Sequence, residues 1–108
     1  MAEIILYVDA NFGGLHTHFW GSVAQFTQME LFGTGVSGSG NWNDKVSSFV
    51  IQSGYWQFFK DEQFQTQQGK GNNASGLASG TFGPGEYSWV QDWGIDNDAL
   101  SSIKLIRD

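Results

Sequence analysis

The sequence predicts an all-β protein, a β-sandwich of two halves with Greek-key connections, on three observations. First, 15 glycines and 16% aromatic residues in 108 positions describe turns alternating with half-buried strands better than helices. Second, no stretch keeps a 3.6-residue apolar period for long, so amphipathic helices have no pattern to rest on. Third, one phrase occurs twice. Asn43-Asp44-Lys45-Val46-Ser47-Ser48 precedes the apolar run Phe49-Val50-Ile51, and Asn97-Asp98-Ala99-Leu100-Ser101-Ser102 precedes Ile103-Lys104-Leu105-Ile106. A repeat inside so short a chain suggests two similar halves packed on each other.

The elements follow in order. Residues 4–8, β-branched and aromatic, predict a strand. Asp9-Ala10-Asn11-Phe12-Gly13-Gly14 closes it with turn chemistry, and residues 15–20 return as the second arm of a hairpin. Residues 24–32 are a further strand candidate. The Gly/Ser-rich residues 33–40 form a loop leading to the first Asn-Asp motif. Strands are then expected at 49–51 and, after Ser53-Gly54, at 55–60. Residues 65–80 are the most polar and least patterned part and read as a mobile surface loop. Gly83-Pro84-Gly85-Glu86 turns into a strand at 87–90, and residues 102–106 close the domain.

Length allows one domain with one core. The net charge is −6, and the basic residues Lys45, Lys60, Lys70, Lys104 and Arg107 do not cluster. That argues against nucleic acid and against an anionic membrane surface. With no cysteine there is no disulfide, thiolate site or thiol nucleophile. The apolar start is too short for a signal-peptide core, and no run approaches a membrane span, so the chain is expected to be soluble and cytoplasmic.

The repeated motif carries the chemistry. Oxygen-bearing side chains clustered on a loop suit a hard cation such as calcium. Asn-Asp and Ser-Ser are also ordinary turn residues that bond their own backbone. It is the matched second copy that favours ion binding. An EF-hand does not fit: counting from Asp96, Ser101 falls where glycine is required and Arg107 where glutamate is required.

These residues resemble the βγ-crystallin family, in its single-domain, microbial-type calcium-binding form. The family's key opens with an aromatic and a glycine seven positions on, which Tyr7-Val8-Asp9-Ala10-Asn11-Phe12-Gly13-Gly14 matches. Its calcium motif is Asn/Asp, Asn/Asp, two variable residues, Ser/Thr and Ser, which both copies match. Ser53-Gly54-Tyr55-Trp56 and Gly83-Pro84-Gly85-Glu86-Tyr87 are similar to family members at equivalent places. The second key departs: seven residues after Phe59 stands Thr66, so that hairpin has to be shaped without glycine's freedom.

The resemblance implies one βγ-crystallin domain over residues 1–108, with Greek keys at about 3–51 and 54–107. It implies two Ca2+ ions, each shared between the keys. One motif would supply the side chain of its second residue and the carbonyl of its third, and the other motif the hydroxyl of its fifth. Here those are Asp44 and Asp98, Lys45 and Ala99, and Ser47 and Ser101. Hairpin carbonyls of Val8 and Lys60 would complete the sets. Asn43 and Asn97 are expected to brace the loops, and Ser48 and Ser102 to tie loop to strand. With one carboxylate per ion, affinity is expected to be micromolar to sub-millimolar.

The implied role is calcium-linked stabilisation, either stress-related or calcium-buffering, in a monomer or weak homodimer. The alternative is a module binding a glycan or protein partner through exposed aromatics and long loops. Trp20, Trp42, Trp56, Trp89 and Trp93 could stack on sugars but more often fill a small core. His16 and His18, two apart on one strand face, could hold a transition metal. No third ligand is evident, and they read as solvent-facing. No nucleophile elbow or paired-carboxylate cleft supports an enzyme.

Overall fold

The structure is a computed structural model describing residues 2–26, 45–72, 77–97 and 99–108. Two antiparallel sheets form it. Strand β1 (Glu3–Asp9) is followed by a 3-10 turn at Ala10–Phe12 and by β2 (Gly13–Phe19). β3 (Ser48–Ser53) pairs with the other side of β1, setting Leu6 opposite Phe49 and Tyr7 opposite Ser48. The second sheet holds β4 (Tyr55–Asp61), β5 (Gln65–Gln68) and β7 (Ser102–Arg107) in the order β5-β4-β7. Its register sets Phe58 opposite Ile103 and Phe59 opposite Ser102.

Each half contributes to the other's sheet. β6 (Gly85–Tyr87), from the second half, completes the first sheet in the order β2-β1-β3-β6. In return Val23, from the first half, bridges Ile103 in the second sheet. Neither sheet is built from one half alone, which is the Greek-key connection in physical terms.

Strand alternation sends one face of each sheet inward. Ile4, Leu6, Phe49, Ile51 and Tyr87 from the first sheet meet Trp56, Phe58 and Ile103 from the second. Phe49 is the hub of the aromatics: its ring centre lies 4.5 Å from that of Phe58 and 4.6 Å from that of Tyr87. Tyr87 also has a polar end to satisfy. Its hydroxyl donates to Gly83 O at 2.7 Å and accepts from Asn72 Nδ2 at 3.0 Å, while Gly83 N donates to Asn72 Oδ1 at 2.9 Å.

Both hairpins fold back through the left-handed region. Asn11 and Phe12 have φ of 57° and 62°, and Gln63 and Phe64 have 59° and 60°. The first hairpin then uses Gly14 at φ 74°; the second places Thr66 at φ 60°. A β-branched residue is an outlier there. Its compensation is a bond from Thr66 Oγ1 to Asp61 Oδ2 at 2.6 Å. The second hairpin thus keeps the shape of the first without the glycine.

Three sequence expectations are corrected. Residues 65–80 are not a loop throughout. Gln65–Gln68 forms edge strand β5, because backbone pairing with β4 needs no apolar side chain. Beyond it, Gly69 N and Lys70 N donate to Gly94 O and Trp93 O at 3.1 and 2.7 Å. The strand expected at 87–90 instead ends at Tyr87, and Val90–Trp93 is a 3-10 turn. Of the strand expected at 24–32, the described residues 24–26 are not in a strand, the bridge lying at Val23. Residues 27–32 lie outside the described residues.

Candidate functional site

The two motifs end at equivalent places. Ser47 N donates to Tyr7 O at 2.9 Å, and Ser101 N donates to Phe59 O at 3.0 Å. Val90 N donates to Ser47 O at 3.0 Å, and Phe26 N to Ser101 O at 2.9 Å. Each motif's fifth residue is therefore stitched to the aromatic that opens its own half and to a segment of the other half. Both serines are buried, with 5% and 6% of their surface exposed.

The last serine of each motif has a different task. Ser48 Oγ donates to Asp9 O at 2.6 Å and accepts from Phe12 N at 3.0 Å. Ser102 Oγ donates to Asp61 O at 2.7 Å and accepts from Phe64 N at 3.2 Å. Expected to tie loop to strand, these hydroxyls clamp β3 and β7 onto the folded hairpins. A hydroxyl is the right group, because it donates and accepts at once from a short stem.

One contact crosses between the motifs. Ser47 Oγ donates to Asn97 Oδ1 at 2.6 Å, joining the fifth residue of one motif to the first of the other. Asn97 does brace a loop, but against the opposite motif. The Ser47 hydroxyl thus donates its proton to the opposite motif.

Of the other expected ligands, Val8 is half-buried at the register shift between Tyr7 and Asp9. Lys60 and Lys45 are exposed, and Ala99 is half-buried. Asp44 and Asp98, the two carboxylates of the expected set, lie outside the described residues, as does Asn43. Among the described residues no group of three or more His, Cys, Asp or Glu converges as a metal site. The set implied by the motifs is of another kind, mostly hydroxyls and carbonyls.

The aromatics divide. Trp56 is fully buried in the core, Trp89 and Trp93 are half-buried, and Trp42 lies outside the described residues. Trp20 is the large apolar side chain left exposed among the described residues. His16 is exposed, as expected, whereas His18 is half-buried and bonded to Glu3. The Glu3 contact escaped the sequence reading. Its signal is the hairpin register, which sets Ile5 opposite His18 and so brings Glu3 alongside.

Among the described residues no helix is long and apolar enough to cross a membrane. Comparison with known proteins agrees with the geometry. A family profile described as Beta/Gamma crystallin matches residues 3–106. A beta/gamma-crystallin of Ciona intestinalis is 34% identical over 104 residues, 96% of this chain and 98% of that protein. A solved beta gamma crystallin from Ciona intestinalis superposes with a TM-score of 0.70 at 31% identity, covering 95% of this chain and 98% of that one. A transition-metal-ion-binding βγ-crystallin from Methanosaeta thermophila superposes with a TM-score of 0.62 at 26% identity, covering 94% and 98%. Two sheets each completed from the other half, paired folded hairpins and the match over nearly the whole chain lead to one conclusion: this chain belongs to the βγ-crystallin family.

Proposed function

We propose that this domain binds two calcium ions in the motif loops, each shared between the keys, and that the ions stabilise the folded state. One ion takes the Asp44 side chain, the Lys45 and Lys60 carbonyls and the Ser101 hydroxyl. The other takes Asp98, the Ala99 and Val8 carbonyls and the Ser47 hydroxyl, since Val8 follows the aromatic bonded to Ser47 and Lys60 the one bonded to Ser101. The observation that carries the reading is the 2.6 Å bond from Ser47 to Asn97, which sets the hydroxyl of one motif at the opening of the other. Further support comes from the matched backbone bonds at Ser47 and Ser101. The net charge of −6 favours cations. The role is structural or calcium-buffering rather than enzymatic, and the stabilisation works by mass action: at a hundredfold excess over Kd each site adds about 2.7 kcal/mol.

The test is calorimetric titration of metal-free protein with calcium, beside thermal melts in calcium and in chelator. Two binding events and a melting point several degrees higher in calcium are expected. Asp44→Ala and Asp98→Ala should each remove one event. Absence of both heat and shift in the wild type would overturn the proposal and leave the motifs as turns.

A further inference from the structure

The outer face of the first sheet carries a row of rings. β2 sends Phe19 inward against the core residue Phe26, so His16, His18 and Trp20 turn to the opposite face. Tyr7, opposite His16 in the register, joins them from β1, and Phe12 of the folded hairpin packs on Tyr7. The row runs Phe12, Tyr7, His16, His18, Trp20, with successive ring centres 5.6, 5.6, 5.4 and 6.0 Å apart. None of the five belongs to the buried core, and Trp20 keeps 56% of its surface open to solvent.

Charge narrows the occupant first. The four strands of this sheet hold no Lys or Arg, while Glu3 and the exposed Glu86 supply carboxylates, on a chain of net charge −6. Polyanions such as nucleic acid, sulfated glycans and anionic lipid headgroups are repelled. The order of the rings narrows it further. Apolar Phe12 and Trp20 stand at the ends, and the Tyr7 hydroxyl and two imidazoles lie between them. A protein interface has the reverse plan, an apolar centre inside a polar rim. The polar middle is also held in place. Glu3 Oε2 lies 2.5 Å from His18 Nδ1. A carboxylate only accepts, so Nδ1 carries the proton and the neutral ring presents Nε2 as a fixed acceptor. This pairing occupies Glu3, which leaves little free negative charge on the row for a basic peptide.

A neutral sugar chain has the matching chemistry. Each pyranose ring offers apolar C–H faces and a rim of hydroxyls that both donate and accept. We infer that the outer face of β1 and β2 binds a neutral oligosaccharide. Phe12 and Trp20 lie against sugar rings, and Tyr7, His16 and His18 hydrogen-bond the hydroxyls between them. Glu3 is a positioning residue, acting through His18. Because the rings form a row along an open face, binding is weak for one sugar and grows with the length of the chain. The inference does not rest on the calcium reading.

The test applies the whole chain, in calcium-containing buffer, to an array of neutral, sulfated and sialylated glycans beside an oligolysine peptide. Binding confined to neutral glycans is expected, stronger for chains of several sugars than for single ones. Titration of 15N-labelled protein with the best neutral glycan should shift the Trp20 indole N–H and the His16 and His18 rings. Trp20→Ala and His16→Ala should each weaken binding at least about fivefold without lowering the melting point. Glu3→Ala should weaken it less, with the Nδ1–H preference of His18 lost from the ring 15N shifts. Both Trp20 and His16 are exposed, so either variant carries the test if the other fails to fold. Absence of binding to every neutral glycan, preference for the anionic glycans or for oligolysine, or full binding in both Trp20→Ala and His16→Ala would overturn the proposal whatever calcium does.

Discussion

Gly14 and Thr66 occupy equivalent turns and meet the same backbone demand by different means. A Cβ at Gly14 would lie 2.6 Å from both Asp9 Oδ2 and Val8 Cγ2, at φ 74°. Gly14→Ala should therefore destabilise by about 1–3 kcal/mol, read from urea unfolding. Thr66→Ala sheds the β-branched part of the strain and loses an exposed hydrogen bond, so its net cost should not exceed about 0.5–1.5 kcal/mol. Equal losses at the two positions would contradict this account. At Tyr87, burial raises the phenol from 10.0 to about 12, with the Asn72 bond pulling the other way. Below pH 10 the group has no effect on stability. Above it, the unfolded chain releases a proton that the folded chain keeps, so stability falls until pH reaches about 12. The expected loss is up to roughly 2–3 kcal/mol. Melts across that range should show this slope in the wild type and a shallower one in Tyr87→Phe.

At the scale of elements, each folded hairpin is held by one serine from a strand far along the chain. Ser102→Ala removes a bond to Asp61 O and another from Phe64 N, both part-buried. The expected cost is about 1–3 kcal/mol, with faster amide exchange at Phe64. An unchanged exchange rate there would mean that β4 and β5 hold the hairpin alone. The serines were legible as motif positions, but their target was not, because hairpin and serine are far apart in sequence. Strand β5 was illegible for another reason. Gln65-Thr66-Gln67-Gln68 carries no apolar pattern, and its pairing with β4 rests on backbone bonds indifferent to composition.

For the whole molecule, the decisive feature is that β6 and Val23 change sides. Removing the second half would strip β6 from the first sheet, and removing the first half would take the Val23 bridge from the second. Loss of one proposed calcium site should therefore lower a single melting transition rather than split it in two. Asp44→Ala and Asp98→Ala in calcium should each melt as one event by calorimetry, with calorimetric and van't Hoff enthalpies equal. Two resolved transitions would mean that the keys unfold independently.

The sequence by itself determined the all-β class, the family, the first hairpin and the two motifs. Those depend on local chemistry: alternation, glycine at a left-handed turn, and oxygen-bearing residues at fixed spacing. The tertiary structure alone decided which half completes which sheet, that Ser47 meets Asn97, that Glu3 meets His18, and that Thr66 can stand where glycine is usual. Each of these depends on partners brought together only when the two sheets close over Phe49, Phe58 and Tyr87, and no local pattern encodes a contact that distant closure creates.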